Sequence, residues 1–435
     1  MSLLALDIGS SSIKAAIFQN RSLVGGVTRI AYSTTHDGPR VEVDAEVLLS
    51  ALTTAIADVG PRVRRVDAIA LSVMSPAWVA MDKRGRAITP IVTHQDRRSL
   101  REARELEERV GKQRHLAIAG NRPFPGSISS TTLAWFLRHE PRRMARADLI
   151  GHLNTFVHRR LTGSRVIDPS NASFTGLYRT CDLRGWSEEL CAAVGISMSR
   201  LPEVIDSEKI AGHVTDDAAA AFGLRAGTPV TAGTVDTGAA MMVTGARTGQ
   251  LFHMCGSTDV LAVVAARARP HERLLTRALG AGRKWLSVYT LAAVGSSFDW
   301  IRRQCFRDLP DARFHALLND IWRSERKTSA QFEPYLAGER ASMEQRQAAF
   351  SGLTLASTRE DLLTAMVQSL RAASVARLAL LRQAQPHFRS TVYFSGRQRG
   401  LAAAMHRDWP KGWTYRHIEE ASLRGLTQCY TKTQR

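Results

Sequence analysis

The stretch that organises the chain is Val230–Val264, VTAGTVDTGAAMMVTGARTGQLFHMCGSTDVLAVV. A single acid, Asp236, stands there between a strand-like run, Thr228–Ala232, and a helix start rich in small residues, Gly238–Val243. Further along, the turn Gly256–Thr258 separates two apolar runs. An acid at a strand end can accept a proton from a hydroxyl, and a Gly/Ser/Thr turn can present N–H and hydroxyl donors to a phosphate. The alternatives are a helix cap or turn-forming acid and an ordinary hairpin.

A second turn of the same kind lies near the N-terminus, in Leu3–Phe18, LLALDIGSSSIKAAIF. The pattern predicts a short strand at Leu3–Leu6, a tight turn at Asp7–Ser12 and a second strand at Ile13–Phe18. A glycine followed by three serines can place donors around a phosphate, and Lys14 adds a cation. The acid that opens this turn could hold Mg²⁺ through water, because Mg²⁺ prefers one or two carboxylates and keeps its waters. An ordinary hairpin is the alternative, since the stretch matches neither a P-loop nor a GxGxxG fingerprint.

Length and composition limit the class of protein. A chain of 435 residues is expected to form two domains, because single cores rarely exceed roughly 300 residues. Its hydrophobic content of 44% is typical of soluble globular chains. No apolar run approaches the ~20 residues of a membrane span, and residues 1–18 lack the features of a signal peptide. A cytoplasmic protein without a membrane partner is therefore expected, with five scattered, reduced cysteines.

The net charge of +19 raises the question of a polyanionic partner. The basic residues are mostly arginines spread along the whole chain, without a basic tail or a basic-aromatic repeat. Solvated helix faces explain such a distribution, and no nucleic-acid partner is expected.

Several longer elements are predicted from periodicity alone. Val47–Asp58 has the spacing of a helix, and Val66–Val73 has the composition of a strand. Ala348–Gln368 is expected to contain a turn, a Ser/Thr cap and then a helix.

The motif DIGSSSIK resembles the first phosphate motif of the FGGY carbohydrate kinases, D-x-G-T-[ST]-x-[KR], in the actin-like ATPase superfamily. Val230–Val264 resembles the family's catalytic-aspartate segment followed by its second phosphate turn. Phe332–Arg340, FEPYLAGER, and Glu419–Gly425, EEASLRG, are similar to two further family motifs. The resemblance spans Leu3 to Gly425, with the motifs in the expected order.

The resemblance implies an α/β fold of two actin-like (ribonuclease H-like) domains with an inter-domain catalytic cleft. Residues 1–246 would form the sugar-binding domain and residues 247–435 the nucleotide-binding domain. The implied activity is ATP-dependent phosphorylation of a terminal hydroxyl of a small sugar or polyol, with a ketopentose such as xylulose first. Alternatives are gluconate, glycerol or ribulose as substrate, or a catalytically weak sugar or nucleotide sensor. ATP and Mg²⁺ are the expected cofactors, and a homodimer is one expected assembly.

Sugar contacts are expected from two further passages, each of which departs from the family pattern. Ser75 and Pro76 occupy the Met-His slot of xylulose kinases, and His94 stands where a tryptophan is usual. Asp96 and Arg98 occupy the acidic and basic positions of the W-x-D-x-R motif. A carboxylate can accept two sugar hydroxyls, whereas the alternative for Asp96 is a salt bridge at a helix N-terminus.

The segment that corresponds to the family's adenosine-binding turn departs most from the family pattern. The family places G-G-[GA]-x-[KRS] where this chain has Ser395-Gly396-Arg397, within VYFSGRQRG. Gly396 is the glycine that survives, and Arg397 could stack on a base. The full set of expected site residues is as follows: Asp236 as base; Gly9, Ser10, Ser11, Ser12, Lys14, Gly256, Ser257 and Thr258 at the phosphates; Gly396 and Arg397 at adenosine; Ser75, Pro76, Asp96 and Asp236 at the sugar; and Asp7 at the metal.

Overall fold

The computed structural model describes residues 1–324, 326–344, 346–396 and 399–430. The chain divides into two compact units. The first contains residues 1–247 and 265–286 and the described residues from 421 onward. The second contains residues 248–264 and the described residues of 287–420. The expected sugar-binding and nucleotide-binding roles of residues 1–246 and 247–435 remain predictions.

The main sheet of the first unit is built around the strand Ser2–Ile8, which is antiparallel to Ser12–Gln19 and parallel to Ala68–Val73. Its side chains alternate between two cores. Leu4 and Leu6 join one hydrophobic cluster, and their neighbours on the other face join a second. Burial on both faces explains the nearly continuous apolar sequence. The strands of this sheet, in order, are Ile210–His213, Pro229–Thr231, Ala68–Val73, Ser2–Ile8, Ser12–Gln19 and Ser22–Ala31, with Thr234–Val235 also on Ala68–Val73.

The remaining elements of the first unit surround this sheet. A second sheet contains, in order, Thr35–Asp37, Arg40–Val43, Ile91–Thr93, Ala77–Met81 and Leu149–His152. Short strands are Val166–Ile167 paired with Glu203–Val204, and Leu275–Ala278. The helices are Ala45–Asp58, Pro61–Arg65, Leu100–Val110, Lys112–Ala119, Ser130–His139, Pro141–Met144, Leu153–Leu161, Pro169–Ala172, Glu188–Val194, Met198–Arg200, Asp216–Phe222, Asp236–Met242 and Ala421–Leu426.

The second unit contains a sheet, helices and a strand pair. Its sheet runs in the order Trp285–Leu291, Asp259–Ala265, Leu251–Cys255, Thr391–Ser395 and Thr414–His417. A small antiparallel pair joins Gln331–Glu333 to Ala349–Ser351. The helices are Gly295–Cys305, Asp311–Arg323, Arg359–Ala384 and Arg399–His406.

Most predicted elements are confirmed, with shifted ends. The helix predicted at Val47–Asp58 begins at Ala45, because Asp44 caps its first turn by accepting the N–H groups of Glu46 and Val47. The Ser/Thr cap predicted before the long helix is Thr358, which forms a capping box. Within the described residues, no helix is long and apolar enough to span a bilayer.

Candidate active site

Three parallel strands of the first unit end at one edge of the main sheet. Val73 aligns with Ile8 on one side and with Val235 on the other. The residues that follow, Gly9 and Asp236, therefore emerge at the same edge. Neighbouring strands are about 4.8 Å apart, so the two strand ends are separated by about 10 Å. The register thus brings the first phosphate turn and the expected base together in one unit.

Asp236 is partly exposed and is the first residue of the helix Asp236–Met242. The cap position belongs to Val235, so Asp236 is not the helix cap of the alternative interpretation. Its Oδ1 accepts the N–H of Thr237 at 2.5 Å and the hydroxyl of Thr237 at 3.0 Å. The preceding strand end is fixed by Ser170, whose hydroxyl accepts the N–H of Val235 at 3.0 Å. These contacts give the carboxylate a defined position at the edge of the sheet.

Asp7 lies inside the strand rather than in the turn, contrary to the sequence prediction, because it pairs in register with Lys14 and Ser72. The side chain is buried, and Oδ1 accepts the hydroxyl of Ser72 at 2.7 Å. Oδ2 accepts the hydroxyl of Ser422 at 2.6 Å and lies 3.3 Å from the ammonium of Lys14. A carboxylate offers about four acceptor positions. Three donors already occupy most of these positions on Asp7. The carboxylate therefore does not fit a direct Mg²⁺ ligand, but its one remaining position fits a hydrogen bond from a metal-bound water.

The turn Gly9–Ser12 closes through a hydrogen bond from its first N–H to its last carbonyl, at 3.1 Å. Other carbonyls of the turn already have donors. Thr34 donates to Ser10 at 3.4 Å, the N–H of Tyr32 donates to Ser11 at 3.3 Å, and the Tyr32 hydroxyl donates to the first carbonyl. Burial raises the pKa of Tyr32, which keeps the phenol protonated as a donor. The side chains of Ser10 and Ser11 are exposed, as a phosphate-binding turn requires.

The turn Gly256–Thr258 of the second unit is built in a similar way. Its first N–H donates to its last carbonyl at 2.9 Å. The carbonyl of Gly256 accepts the N–H of Gly295 at 3.0 Å, and the carbonyl of Ser257 accepts the N–H of Val294 at 2.8 Å. Carbonyl oxygens would repel a phosphate. In this turn the carbonyls of Gly256 and Ser257 instead accept N–H groups at the start of the helix Gly295–Cys305. The side chain of Ser257 is exposed.

Gly256 and Gly396 of the second unit differ in whether the surrounding structure leaves room for a side chain. A Cβ atom at Gly256 would lie 3.8 Å from its nearest neighbour, the carbonyl oxygen of Thr258. Gly396 has a φ of 130°, and a Cβ atom there would lie 1.7 Å from the carbonyl oxygen of Cys255. Packing alone therefore requires Gly396. Arg397 lies outside the described residues, so its adenosine contact stays a prediction.

The structure contradicts the predicted contact between Asp96 and the sugar. It is 0% exposed, and its carboxylate accepts the N–H of Val41 at 2.9 Å. The guanidinium of Arg98 donates to both oxygens, at distances of 2.6–3.0 Å, and also to Glu42. A sugar cannot reach a fully enclosed carboxylate, so the structure assigns Asp96 to the salt-bridge alternative.

Ser75 is half-buried and begins a directional hydrogen-bond chain in the first unit, while Pro76 beside it is buried. The Ser75 hydroxyl donates to Oδ1 of Asn171 at 3.0 Å and lies 3.2 Å from Nδ1 of His152. Burial, and after it the charge of Arg277, lowers the pKa of His152 to about 3. His152 is therefore neutral, and we assign its proton to Nδ1, because the Ser75 proton is already donated.

The other end of the chain is fixed by a buried acid. Asn171 donates to Oδ2 of Asp168 at 2.6 Å, which sets the orientation of the Asn171 amide. Asp168 also accepts the N–H groups of Ser170 and Asn171 as the cap of a short helix. Burial raises the pKa of Asp168 to about 6, although these donors favour the charged form. The sequence-based site did not include His152, Asn171 or Asp168; the capping pattern Asp-Pro-Ser-Asn was the available signal for Asp168.

The comparison with known proteins identifies the family. Residues 2–243 match the N-terminal domain of the FGGY family of carbohydrate kinases. The chain belongs to this family. It is therefore a carbohydrate kinase, and the family implies ATP as the phosphoryl donor.

Relatives of this FGGY kinase include enzymes with different sugars in their names. It is 24% identical over 360 residues to the xylulose kinase of Klebsiella pneumoniae, covering 81% of this chain and 73% of the relative. It is 24% identical over 386 residues to the gluconokinase of Bacillus subtilis (strain 168), covering 85% of this chain and 74% of the relative. The crystal structure of xylulose kinase from Rhodospirillum rubrum has a TM-score of 0.86 at 23% identity, covering 99% of this chain and 89% of that one. The expected α/β fold of the actin-like ATPase type is confirmed.

Proposed function

We propose that this FGGY kinase phosphorylates a terminal hydroxyl of a ketopentose, with xylulose first, and that Asp236 is the general base. The observation that carries the proposal is the position of Asp236, a partly exposed acid at the same sheet edge as the turn Gly9–Ser12. The xylulose kinases among the relatives support the choice of sugar.

In this proposal, the carboxylate of Asp236 accepts the proton of the attacking hydroxyl as the hydroxyl oxygen bonds to the γ-phosphorus and ADP leaves. The turns Gly9–Ser12 and Gly256–Thr258 each bind ATP phosphates through their N–H and hydroxyl groups. Mg²⁺, when bound, would neutralise phosphate charge, with Asp7 contacting one of its waters. Phosphoryl transfer needs mainly positioning and charge neutralisation, which these groups supply. Assembly as a homodimer stays a prediction.

A second candidate substrate is another polyol or a sugar acid. The observation in its favour is the Ser75-Pro76 pair in the Met-His slot, where Ser75 is held by Asn171 and His152. A coupled ADP-release assay with D-xylulose, D-ribulose, glycerol and D-gluconate decides between these substrates. The highest kcat/KM with D-xylulose supports the first proposal, and a higher value with D-gluconate or glycerol supports the second. ATP binding without ADP release on any sugar would support the sensor alternative.

The double substitution Ser75→Met/Pro76→His is expected to raise D-xylulose activity relative to D-gluconate and glycerol. It restores an imidazole donor and acceptor, and a site built for particular hydroxyls rejects analogues that lack them. The measurement is the ratio of kcat/KM values, which does not depend on the fraction of folded enzyme. Ser75→Ala is the matched control, because it breaks the same hydrogen-bond chain without supplying an imidazole. Equal ratios in the double variant and this control would contradict the prediction.

Gly256→Val is expected to weaken ATP binding by at least about tenfold while leaving sugar affinity within about twofold, because a side chain there would occupy the space of a phosphate. The fold should tolerate the change, since a Cβ atom meets nothing closer than 3.8 Å. The measurement is calorimetry with ATP and with the best sugar. Gly26→Val is the control, because a Cβ atom at Gly26 meets nothing within 4 Å and Gly26 lies outside the proposed site. Unchanged ATP affinity in folded Gly256→Val would remove this turn from the phosphate site.

A further inference from the structure

A buried polar network adjoins the turn Gly256–Thr258 in the second unit. His253 lies on the strand before the turn, and Asp259 opens the strand after it; both are 0% exposed. Nε2 of His253 lies 2.6 Å from Oδ2 of Asp259. The guanidinium of Arg377, which is 2% exposed, donates to Oδ1 of the same carboxylate. Residues on both sides of the turn are thus joined to each other and to the helix Arg359–Ala384.

A second histidine extends the network. Nδ1 of His253 lies 2.9 Å from Nε2 of His406. Burial, and after it His253, lowers the pKa of His406 to about 3, so His406 is neutral. Asp259 can only accept, so His253 donates to it through Nε2, and the Nδ1 of His253 hydrogen-bonds to Nε2 of His406. The carboxylate of Asp259 is thus joined to Arg377 on one side and to both histidines on the other.

The same residues do not suit a metal ion. His253, Cys255 and Asp259 have ligand atoms within 4.8 Å of one another. Both nitrogens of His253 and both oxygens of Asp259 already have hydrogen-bond partners, and Arg377 adds a positive charge. Burial raises the pKa of Cys255 well above its usual range, so its thiol is protonated rather than a thiolate ligand.

Burying an ion pair seldom increases stability, because desolvation of both charges offsets their attraction. Arg377 and Asp259 are therefore poorly explained as a device for stability. Their position is more informative, since Asp259 directly follows Thr258 and is register-paired with Cys255, the residue before the turn. Burial raises the pKa of Asp259, but Arg377 and His253 lower it by more. The pKa is therefore below its usual range, and the carboxylate is charged.

We propose that Arg377, Asp259 and His253 are positioning residues that hold the turn Gly256–Thr258 in the conformation that binds ATP phosphates. The inference rests on the proposed phosphate role of this turn. A turn fixed at both ends before ATP arrives loses less conformational freedom on binding, which increases affinity for the nucleotide. The sugar is bound elsewhere in the proposal, so its affinity should not depend on the network.

The test is the double substitution Asp259→Asn/Arg377→Met. Arg377→Met alone would leave an unpaired buried carboxylate and could prevent folding, whereas the double variant removes both charges. Its KM for ATP is expected to rise at least about tenfold, because displacing a positioning group by about 1 Å can cost 10²-fold. Its KM for the sugar should stay within about twofold. Thermal unfolding verifies that the variant is folded.

The matched control is Arg371→Met/Asp408→Asn, an ion pair between the same helix and Asp408, which follows the helix Arg399–His406. Its guanidinium and carboxylate make two contacts of 2.7 Å, and both side chains are partly exposed, whereas those of Arg377 and Asp259 are buried. The control should leave both KM values unchanged. Arg377→Lys keeps the positive charge and should retain a KM for ATP closer to that of the wild type than the double variant does.

An unchanged KM for ATP in the folded Asp259→Asn/Arg377→Met variant would overturn the positioning role. So would an equal rise in both KM values, which indicates a general structural effect. The variant Gly256→Val distinguishes a failure of the positioning role from a failure of the phosphate role of the turn. If it weakens ATP binding and the double variant does not, the positioning role alone fails; if it also leaves ATP binding unchanged, the phosphate role of the turn fails with it.

Discussion

Asp236→Asn is expected to lower the rate of sugar phosphorylation by at least about 10²-fold, the lower scale of general-base catalysis. The amide cannot accept the hydroxyl proton as a carboxylate does. The fold should be unaffected, because an amide oxygen can still accept the N–H and hydroxyl of Thr237 that now bind Oδ1. Steady-state kinetics gives kcat, and calorimetry should show ATP affinity close to that of the wild type.

Asp216→Asn is the control for this substitution. Asp216 is also the first residue of a seven-residue helix in the first unit, but it is exposed and lies outside the proposed site. The control variant should retain wild-type kcat, which separates loss of the base from loss of a charge at a helix start. Turnover of Asp236→Asn within a few-fold of the wild type would exclude Asp236 as the base.

Local patterns in the sequence were sufficient for several strands and for the cap of the long helix. The strand predicted at Leu3–Leu6 is observed within Ser2–Ile8, and Thr358 caps the long helix as expected. These features depend on apolar periodicity and on side chains that hydrogen-bond to neighbouring backbone, both of which are readable over a few residues. The family motifs gave the order of the turns and of Asp236, and the match to residues 2–243 confirms the family.

Predictions that depended on long-range contacts were less complete. Asp96 seemed available to a sugar until the structure placed Val41 and Arg98 on its carboxylate. Likewise, Ser75 is held by Asn171 and His152, which lie far from it in the sequence. The identity of a hydrogen-bond partner across a fold is set by tertiary packing, which no local pattern encodes.

The C-terminal motif is a further case of this kind. The similarity of EEASLRG to a family motif did not indicate where this segment docks. In the structure, the helix Ala421–Leu426 packs on the helix that begins with Asp236, and Ser422 donates to the buried Asp7 at 2.6 Å. Residues 421–430 therefore support both acids of the proposed site in the first unit.

Gly425→Ala is expected to lower the free energy of unfolding by about 1–3 kcal/mol, the usual cost of overpacking a well-packed core. A Cβ atom at Gly425 would lie 1.7 Å from the carbonyl oxygen of Ala239, within the helix that begins with Asp236. Since the obstacle is backbone, one of the two helices must move. Leu423 and Leu426 anchor the C-terminal helix in this core, where both are 0% exposed, so we expect the helix that begins with Asp236 to move. Because the moving helix carries the proposed base, kcat should fall together with stability.

Chemical denaturation measures the first effect, and the ADP-release assay at a temperature where the variant is folded measures the second. Gly400→Ala is the control, because Gly400 is also helical but a Cβ atom there meets nothing closer than 3.6 Å. It should be neutral or stabilising by at most about 1 kcal/mol, since alanine is the better helix former. Wild-type stability in Gly425→Ala would show that the two helices do not meet at this glycine. A destabilised variant with unchanged kcat would show instead that Asp236 keeps its place when the C-terminal helix is displaced.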